Sequence, residues 1–201
     1  MASFLLADAA NPLKTAMERY EEVNAYQMQV RGSGGNKNEA MLYAYKKPGY
    51  VRLDIQQPFN GAVIVYDPVS KQATLWPFGR GRLPILTLKP ENRLIRSAAG
   101  QRVDQSDVGS LYQNASALEA HGKSEVLGPE LINGRKTVHV AVQGSDDFSV
   151  GAIHRYDLWL DNETAFPAKV ASYGSNGQLL EVVEMSNIRI NPAFPEHFFA
   201  P

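Results

Sequence analysis

The four histidines come first, because imidazole is the commonest general base and a frequent metal ligand. They stand at positions 121, 139, 154 and 197. No H-E-x-x-H or H-x-H motif is present, and no spacing places two of them on one helical face. His121 follows a predicted helix, where the helix dipole favours a cation, and His139 lies between two valines, which predicts a solvent-facing strand position. The histidines therefore predict neither a metal site nor a catalytic site.

Nucleophiles and carboxylates also lack the spacing that chemistry would need. The chain has no cysteine, which excludes disulfides, thiolate zinc sites and cysteine nucleophiles. There is no G-x-S-x-G elbow, and Ser145 and Ser175 lie in sequences typical of turns. The pair Asp146-Asp147 lacks the pattern of a calcium loop, and GSGGN at 32–36 lacks the lysine and helix of a phosphate loop. We predict a protein that is not an enzyme and needs no cofactor. A hydrolase with an unrecognised site is kept as an alternative.

One short basic stretch, FGRGRLP at 78–84, places Arg80 and Arg82 in a glycine-flanked loop. The simpler interpretation is an exposed loop. The functional alternative is contact with an anionic lipid head group or membrane surface, where each basic residue contributes about 1 kcal/mol. The formal net charge is −1 over 201 residues. Because nucleic-acid binding needs a basic excess on one face, we predict no nucleic-acid partner.

The length of the chain predicts one domain, which we place at residues 11–201. Residues 1–10 contain a short apolar run and the sequence Ala7-Asp8-Ala9, which has the form of a signal-peptidase site. We interpret this segment as an export-signal remnant or as an irregular start of the chain. The first alternative predicts an exported protein.

Two segments have helical periodicity. From Asn11 and Pro12 onward, apolar residues recur every three or four positions until the predicted end near Asn24. The second helix begins at Ser106 or Asp107 and stops before Gly122. The helix contains a helix-weakening glycine at position 109, and its apolar stripe must cover a sheet, which together predict a lid that can move. That stripe comprises Val108, Leu111, Tyr112, Ala115 and Leu118.

The remaining segments alternate with period two and are separated by turn residues, which predicts antiparallel strands joined by short hairpins. Strands and helices do not alternate along the chain, so a parallel sheet is not predicted. We therefore predict an α+β fold with a single long curled antiparallel sheet, an unclosed half-barrel, covered by about two helices. The predicted strands are 26–32, 38–46, 49–56, 61–67, 71–77, 84–89, 124–128, 135–143, 152–160, 167–173 and 178–187, with 188–190 as a continuation of the last.

The hairpin at residues 46–68 has one apolar face and one mixed face. Each apolar residue can be simple core, as most buried residues are. The alternative is that part of this face accepts an apolar ligand. The candidate ligand-binding residues, drawn from this face, the second helix and two further strands, are Val51, Leu53, Ile55, Ile64, Tyr66, Trp76, Val108, Leu111, Tyr112 and Leu158.

Two stretches resemble the periplasmic outer-membrane lipoprotein carriers of the LolA type. They are KKPGYVRLDIQQPFNGAVIVYDP at 46–68 and YDLWLDNETAFPAKVASYGSNGQLLEVVEMSNIRINPAFPEHFF at 156–199. The likeness lies in the spacing of strands, prolines and turns, and it covers about residues 11–199. The resemblance implies an unclosed β-barrel covered by helices, whose hydrophobic cavity shields acyl chains in the periplasm. Related folds include outer-membrane lipoprotein receptors and periplasmic regulators of envelope-stress sigma factors.

The resemblance also implies one residue role and two functions. Carriers place an arginine that holds the lid helices at the position of Lys47, which is a single-point donor here. The expected function is a non-enzymatic carrier for the acyl chains of a lipoprotein or lipid, with a possible membrane-anchored donor or acceptor protein. The alternative is a regulatory or interaction module of the same fold that senses lipoproteins or binds a membrane protein.

Overall fold

The structure, a computed structural model, describes residues 6, 10–35, 37–97 and 100–201. Most of the predicted export-signal remnant, residues 1–5 and 7–9, lies outside the described residues. Leu6 is buried, and its backbone N–H donates to the carbonyl of Asn162 over 3.2 Å. No helix among the described residues has both the length and the apolar character to span a membrane.

The described elements are eleven strands and two α-helices. In hydrogen-bonded order the strands run β6-β5-β4-β3-β2-β1-β11-β10-β9-β8-β7, so that β6 and β7 are the two edges. The predicted α+β class, with one long unclosed antiparallel sheet and two helices, is confirmed. In chain order the elements are α1 (Pro12–Glu21), β1 (Ala25–Gly34), β2 (Lys37–Lys46), β3 (Tyr50–Gln57), β4 (Val63–Asp67), β5 (Gln72–Trp76), β6 (Leu86–Leu88), α2 (Val108–Ala120), β7 (Gly122–Ile132), β8 (Arg135–Gly144), β9 (Arg155–Asp161), β10 (Pro167–Tyr173) and β11 (Leu179–Ile190).

Local sequence explains where α1 begins. The side chain of Asn11 accepts a hydrogen bond from the backbone N–H of Lys14 over 2.9 Å, which satisfies one of the free donors of the first turn. Pro12 follows at the first helical position, where its missing N–H has no cost. The helix buries Leu13 and Ala16, three residues apart on one face.

The described residues group into two compact units, each assembled from two separate parts of the chain. The unit that we call the helical unit contains residues up to Glu22 and Val108–Glu184. There α2 packs on β7 and β8 and also contacts α1. The hydroxyl of Tyr112 donates to the carbonyl of Ala165, and its ring meets Tyr20 edge-on at 5.8 Å. The hydrogen bond attaches α2 to the turn between β9 and β10, and the ring contact attaches it to α1.

The hairpin unit contains Val23–Asp107 and Met185–Pro201, and it includes the β3–β4 hairpin. Asn191 joins the end of β11 to the start of β1. Its side-chain oxygen accepts hydrogen bonds from the backbone N–H groups of Asn24 and Ala25 over 2.7 and 3.1 Å. Its backbone N–H donates to the carbonyl of Ala25 over 2.7 Å. Asn191 has φ of 52°, a left-handed conformation that asparagine tolerates better than most residues. The last strand therefore ends in a specific hydrogen-bonded clamp.

Candidate functional site

The apolar face of the hairpin unit is built from residues that pair directly across neighbouring strands. Val51 of β3 pairs with Tyr66 of β4, and Leu53 pairs with Ile64. Directly paired residues point to the same side of a sheet, so the register extends this face onto the adjoining strands. We call this surface the apolar face, and its members are Tyr26, Met28, Tyr43, Tyr45, Val51, Leu53, Ile55, Ile64, Tyr66 and Leu75.

Three tyrosines form a stack at one side of the apolar face. The ring of Tyr26 lies 5.1 Å from that of Tyr45 and 5.9 Å from that of Tyr43, nearly parallel to both. Burial raises the pKa of the Tyr43 hydroxyl far above its ordinary value. The Tyr43 oxygen lies 3.1 Å from the Oγ of Ser106, which gives this buried hydroxyl a hydrogen-bond partner.

A segment with little regular structure lies against this face. We call residues 91–97 and 100–107 the cover segment. It contains two short 3-10 turns, Arg93–Ile95 and Val103–Gln105, whose Ile95 and Val103 are buried. Burial raises the pKa of Tyr66, and the charge of Asp104 raises it further. Irregular backbone of the same unit therefore contacts the apolar face at Tyr43, through Ser106.

Ion pairs hold the cover segment in shape. The guanidinium of Arg102 lies 2.6 Å from the carboxylate of Asp104 and 2.7 Å from that of Glu91. All three side chains are partly exposed, so solvent screens both pairs and each contributes little to stability. The hydrogen bond between the hydroxyls of Tyr43 and Ser106 attaches the segment to the apolar face, and its Ile95 and Val103 are buried.

The structure brings together only part of the predicted ligand-binding set. Val51, Leu53, Ile64 and Tyr66 are buried side by side on the apolar face, and Ile55 continues it with a partly exposed side chain. That these residues bind a ligand stays a prediction.

Trp76 lies on the opposite face of the same sheet. It pairs with Val63 and clusters with Val63 and Val65, which alternate with the apolar-face residues of β4. The predicted set is therefore divided between two faces at this point. The period of two along β4 and β5 gives the physical reason.

The other candidates belong to the helical unit. Val108 and Tyr112 are buried in α2, Leu158 is fully buried on β9, and Leu111 is partly exposed. The buried stripe of α2 packs within its own unit on β7 and β8. The predicted lid role of α2 is not tested by this packing and stays a prediction.

The basic candidates have different surroundings. Lys47 lies in the β2–β3 turn, where its backbone N–H donates to the carbonyl of Asn24 over 2.8 Å. Arg80 donates to the carbonyl of Ala200 over 2.9 Å, and its guanidinium lies 5.1 Å from the ring centre of Trp76. Arg82 is exposed. None of these contacts identifies a ligand, so their proposed roles stay predictions.

Sequence reasoning missed the surface formed by the last ten residues of the chain. Arg52 donates twice to Asp54 and once to the carbonyl of Phe198, and it lies 4.4 Å from the centre of that ring. Residues 192–201 line a cavity of about 980 Å³ together with Lys46, Tyr50 and other residues at this end of the strands. The only sequence signal was the cluster of phenylalanines at 194, 198 and 199.

His139 is a correction, because the structure buries it instead of exposing it to solvent. Its ring stacks on Trp159 at 4.1 Å, and its Nδ1 lies 2.8 Å from Glu130. The indole N–H of Trp159 donates to the other oxygen of Glu130, also over 2.8 Å. Lys169 lies 4.6 Å from the centre of the Trp159 ring. On this outer face of the helical unit a large aromatic neighbour covers the imidazole, which alternation alone could not reveal.

These contacts predict a small acid sensitivity. Hydrogen bonds from Trp159 and then His139 hold the pKa of Glu130 below its ordinary value. A depressed carboxyl pKa stabilises the fold above the ordinary value, and this stabilisation is lost as the pH falls through the lowered one. Because Glu130 is about half exposed, we expect a contribution below about 1 kcal/mol.

Urea unfolding between neutral pH and about pH 3 measures this contribution. Glu130→Gln should reduce the loss of stability on acidification, whereas Glu125→Gln, an exposed carboxylate on the same strand, should leave the profile unchanged. Identical profiles for both variants would show that the Glu130 contacts do not contribute to stability.

Among the described residues, no group of three or more histidine, aspartate or glutamate side chains is placed to hold a metal ion. The site therefore consists of an apolar face, its cover segment and a separate aromatic surface. These features fit recognition of an apolar or extended ligand, which is a matter of shape and burial.

The comparisons with known proteins agree with this architecture. The family model described as MucB/RseB N-terminal domain matches residues 84–201. No curated protein matches the sequence significantly. The predicted resemblance to the LolA type is confirmed. Within that resemblance, the matching family model is the more specific description.

Two solved structures illustrate the likeness in fold, and a third matches with a lower TM-score. A chain of the Pseudomonas aeruginosa MucA/MucB complex is 17% identical, with a TM-score of 0.51 over 95% of this chain and 61% of that one. This chain thus spans less than two thirds of that relative. LprF from Mycobacterium bovis is 13% identical, with a TM-score of 0.55 over 90% and 92% of the two chains. A LolA superfamily protein from Nitrosomonas europaea is 13% identical, with a TM-score of 0.40 over 94% and 97%.

Proposed function

The chain belongs to the MucB/RseB N-terminal domain family, and from this premise we propose a non-enzymatic binding protein of the bacterial periplasm. Its ligand is the acyl chain of a lipid or lipoprotein, and its binding surface is the apolar face of the hairpin unit. The observation that carries the proposal is the irregular cover segment on a wide apolar sheet face. A face covered in this way can be uncovered without breaking a helix or a strand pair.

The energetics favour an acyl ligand on this surface. Burying one methylene group contributes about 0.8 kcal/mol, so half of a 16-carbon chain would supply roughly 6 kcal/mol before ordering costs. Opening must expose the buried side chains of Ile95 and Val103 and break the hydroxyl contact between Tyr43 and Ser106. A hydrogen bond of this kind contributes about 0.5–1.5 kcal/mol net. The ligand would then occupy the space left by the two aliphatic side chains.

A second candidate function is an interaction module that binds a membrane-anchored protein. The observation that favours it is the family itself, since MucB has been solved in complex with MucA. On this alternative the apolar face is core, and a protein segment binds elsewhere on the surface.

Mass spectrometry of a lipid extract from the purified protein distinguishes the acyl-chain carrier from the interaction module. A carrier should retain acyl lipid after purification or acquire it from added fatty acid at a stoichiometry near one. A protein that takes up none under either condition, while remaining folded, would contradict the carrier function and leave the interaction module.

A pair of valine substitutions tests the cover segment itself. Val103→Ala truncates a buried side chain of the cover segment and should cost about 1–3 kcal/mol of stability. Because the cover is then weaker, uptake of a fluorescent fatty acid should become several-fold faster. Val69→Ala makes the same chemical change at an exposed turn and should alter neither quantity. Unchanged uptake kinetics in folded Val103→Ala would show that the segment does not control access.

A further inference from the structure

Two loops at one end of the hairpin unit expose large apolar side chains. Phe59, in the β3–β4 turn, is 72% exposed, and Phe78, which follows β5, is 62% exposed. Leu83 and Ile85, farther along the second loop, are 81% and 51% exposed. Single exposed apolar residues are ordinary, but four on two loops of one unit form a group that needs an explanation.

The register of the strands places both loops at the same end. Val63, the first residue of β4, pairs with Asp54 near the end of β3 and with Trp76 at the end of β5. The two loops also touch each other. A methyl group built on Gly79 would lie 3.2 Å from the carbonyl oxygen of Gly61. The exposed side chains therefore share one edge of the unit.

Both loops are internally hydrogen-bonded, so their apolar side chains are held outward. In the first loop Ala62 donates to the carbonyl of Phe59 over 3.0 Å, and Gly61 donates to that of Ile55 over 2.9 Å. In the second loop the backbone N–H of Arg82 donates to the carbonyl of Gly79 over 3.2 Å. A surface that is ordered before binding loses little conformational entropy when it binds.

The charged residues within the two loops are all basic. Neither residues 55–66 nor residues 72–90 contain an aspartate or glutamate, although the whole chain carries a net charge of −1. Arg80 and Arg82 lie in the second loop, between the exposed Phe78 and Leu83. Both arginines are exposed, and Arg80 keeps its place through Ala200 and Trp76. Exposed apolar side chains that flank cationic ones are complementary to a surface with an anionic outer layer and an apolar layer beneath it.

We propose that these two loops, residues 58–62 and 77–85, form a docking surface for the interface of an anionic phospholipid bilayer. Phe59, Phe78, Leu83 and Ile85 enter the boundary between head groups and acyl chains, while Arg80 and Arg82 contact the phosphate groups. The inference goes beyond the proposed function, because it uses none of the residues of the apolar face. It would hold whether the protein carries a lipid or binds a protein partner.

Flotation with vesicles tests this proposal on the full chain. We expect binding to vesicles of phosphatidylglycerol and phosphatidylethanolamine, weaker binding to phosphatidylcholine, and a decrease with salt because exposed charges are screened. The double variant Phe59→Ser/Phe78→Ser should bind at least about tenfold more weakly. Arg82→Gln should bind about fivefold more weakly. The control Val69→Ser, an equally exposed position in the β4–β5 turn at the other end of the strands, should bind like the unaltered protein.

Site-specific labelling gives a second, independent readout. Because the chain has no cysteine, Phe78→Cys and Val69→Cys can each carry one environment-sensitive fluorophore. Anionic vesicles should shift the emission of the first label to shorter wavelength and leave the second unchanged.

Three results would overturn the proposal. The first is an unaltered protein that does not float with anionic vesicles. The second is a double phenylalanine variant that binds as well as the Val69→Ser control. The third is sedimentation in which the unaltered protein is a dimer, the double variant is a monomer and neither binds vesicles, since the loops would then contact a second copy of the chain.

Discussion

Leu53→Glu is expected to abolish uptake of a fluorescent fatty acid and to lower the free energy of unfolding by several kcal/mol. Leu53 is buried on the apolar face between its cross-strand partners Tyr43 and Ile64. A carboxylate at this position would be taken out of water with only apolar side chains and tyrosine rings around it. Chemical denaturation and a dye-binding titration measure the two effects.

A second substitution keeps the prediction informative if the glutamate variant does not fold. Leu53→Phe adds volume without charge, and overpacking of this kind costs about 1–3 kcal/mol. It should leave the protein folded but occupy the space into which an acyl chain would bind. The control Leu131→Glu changes an exposed leucine on β7 and should affect neither property. Normal dye affinity in folded Leu53→Phe would remove the apolar face from the binding site.

Asp161→Ala is expected to cost about 2–4 kcal/mol of stability, the second large effect. One carboxylate oxygen of Asp161 accepts the backbone N–H of Thr164 and its hydroxyl, each over 2.8 Å, and the other accepts from Arg135 over 2.8 Å. Alanine would leave these donors without their partner in a partly buried turn. The same turn positions Ala165, whose carbonyl accepts the Tyr112 hydroxyl of α2.

Asp161 also predicts a direction for the effect of pH. Burial alone would raise its pKa, but hydrogen bonds from Arg135 and Thr164 outweigh burial and lower it. Its stabilisation is therefore complete above the ordinary aspartate pKa and is lost as the pH falls through the lowered value. Asp161→Ala should remove part of the acid dependence. Asp147→Ala, at an exposed turn position, is the control, and an equally small stability loss in both variants would contradict the prediction.

Much of the fold follows from local pattern. Each of the eleven strands has a predicted counterpart, because apolar alternation and asparagine–glycine turns mark the hairpins. Both helices start within about two residues of their predicted positions, and at α1 the side chain of Asn11 supplies the predicted cap. Strand β7 is longer than predicted and runs through Pro129. A proline is tolerated there because β7 is an edge strand, where an N–H facing outward has no ladder partner.

The site was harder to predict, for two physical reasons. Both faces of β4 carry apolar residues, Val63 and Val65 on one side and Ile64 and Tyr66 on the other, so alternation could not tell which face Trp76 joins. The cover segment was missed because 3-10 turns of three residues are too short to establish a period. Only tertiary contacts, such as that between Tyr43 and Ser106, identify it.

The division of each unit between two distant parts of the chain has a consequence for biogenesis. The hairpin unit needs Met185–Pro201 in addition to Val23–Asp107, and the Asn191 clamp pairs residues more than 160 positions apart. Contacts of such large sequence separation form slowly, because loop-closure entropy is lost before the contacts form. During synthesis, β1 to β6 emerge before the segment that completes their unit. We therefore expect this unit to reach its full stability only after residue 191 has been synthesised.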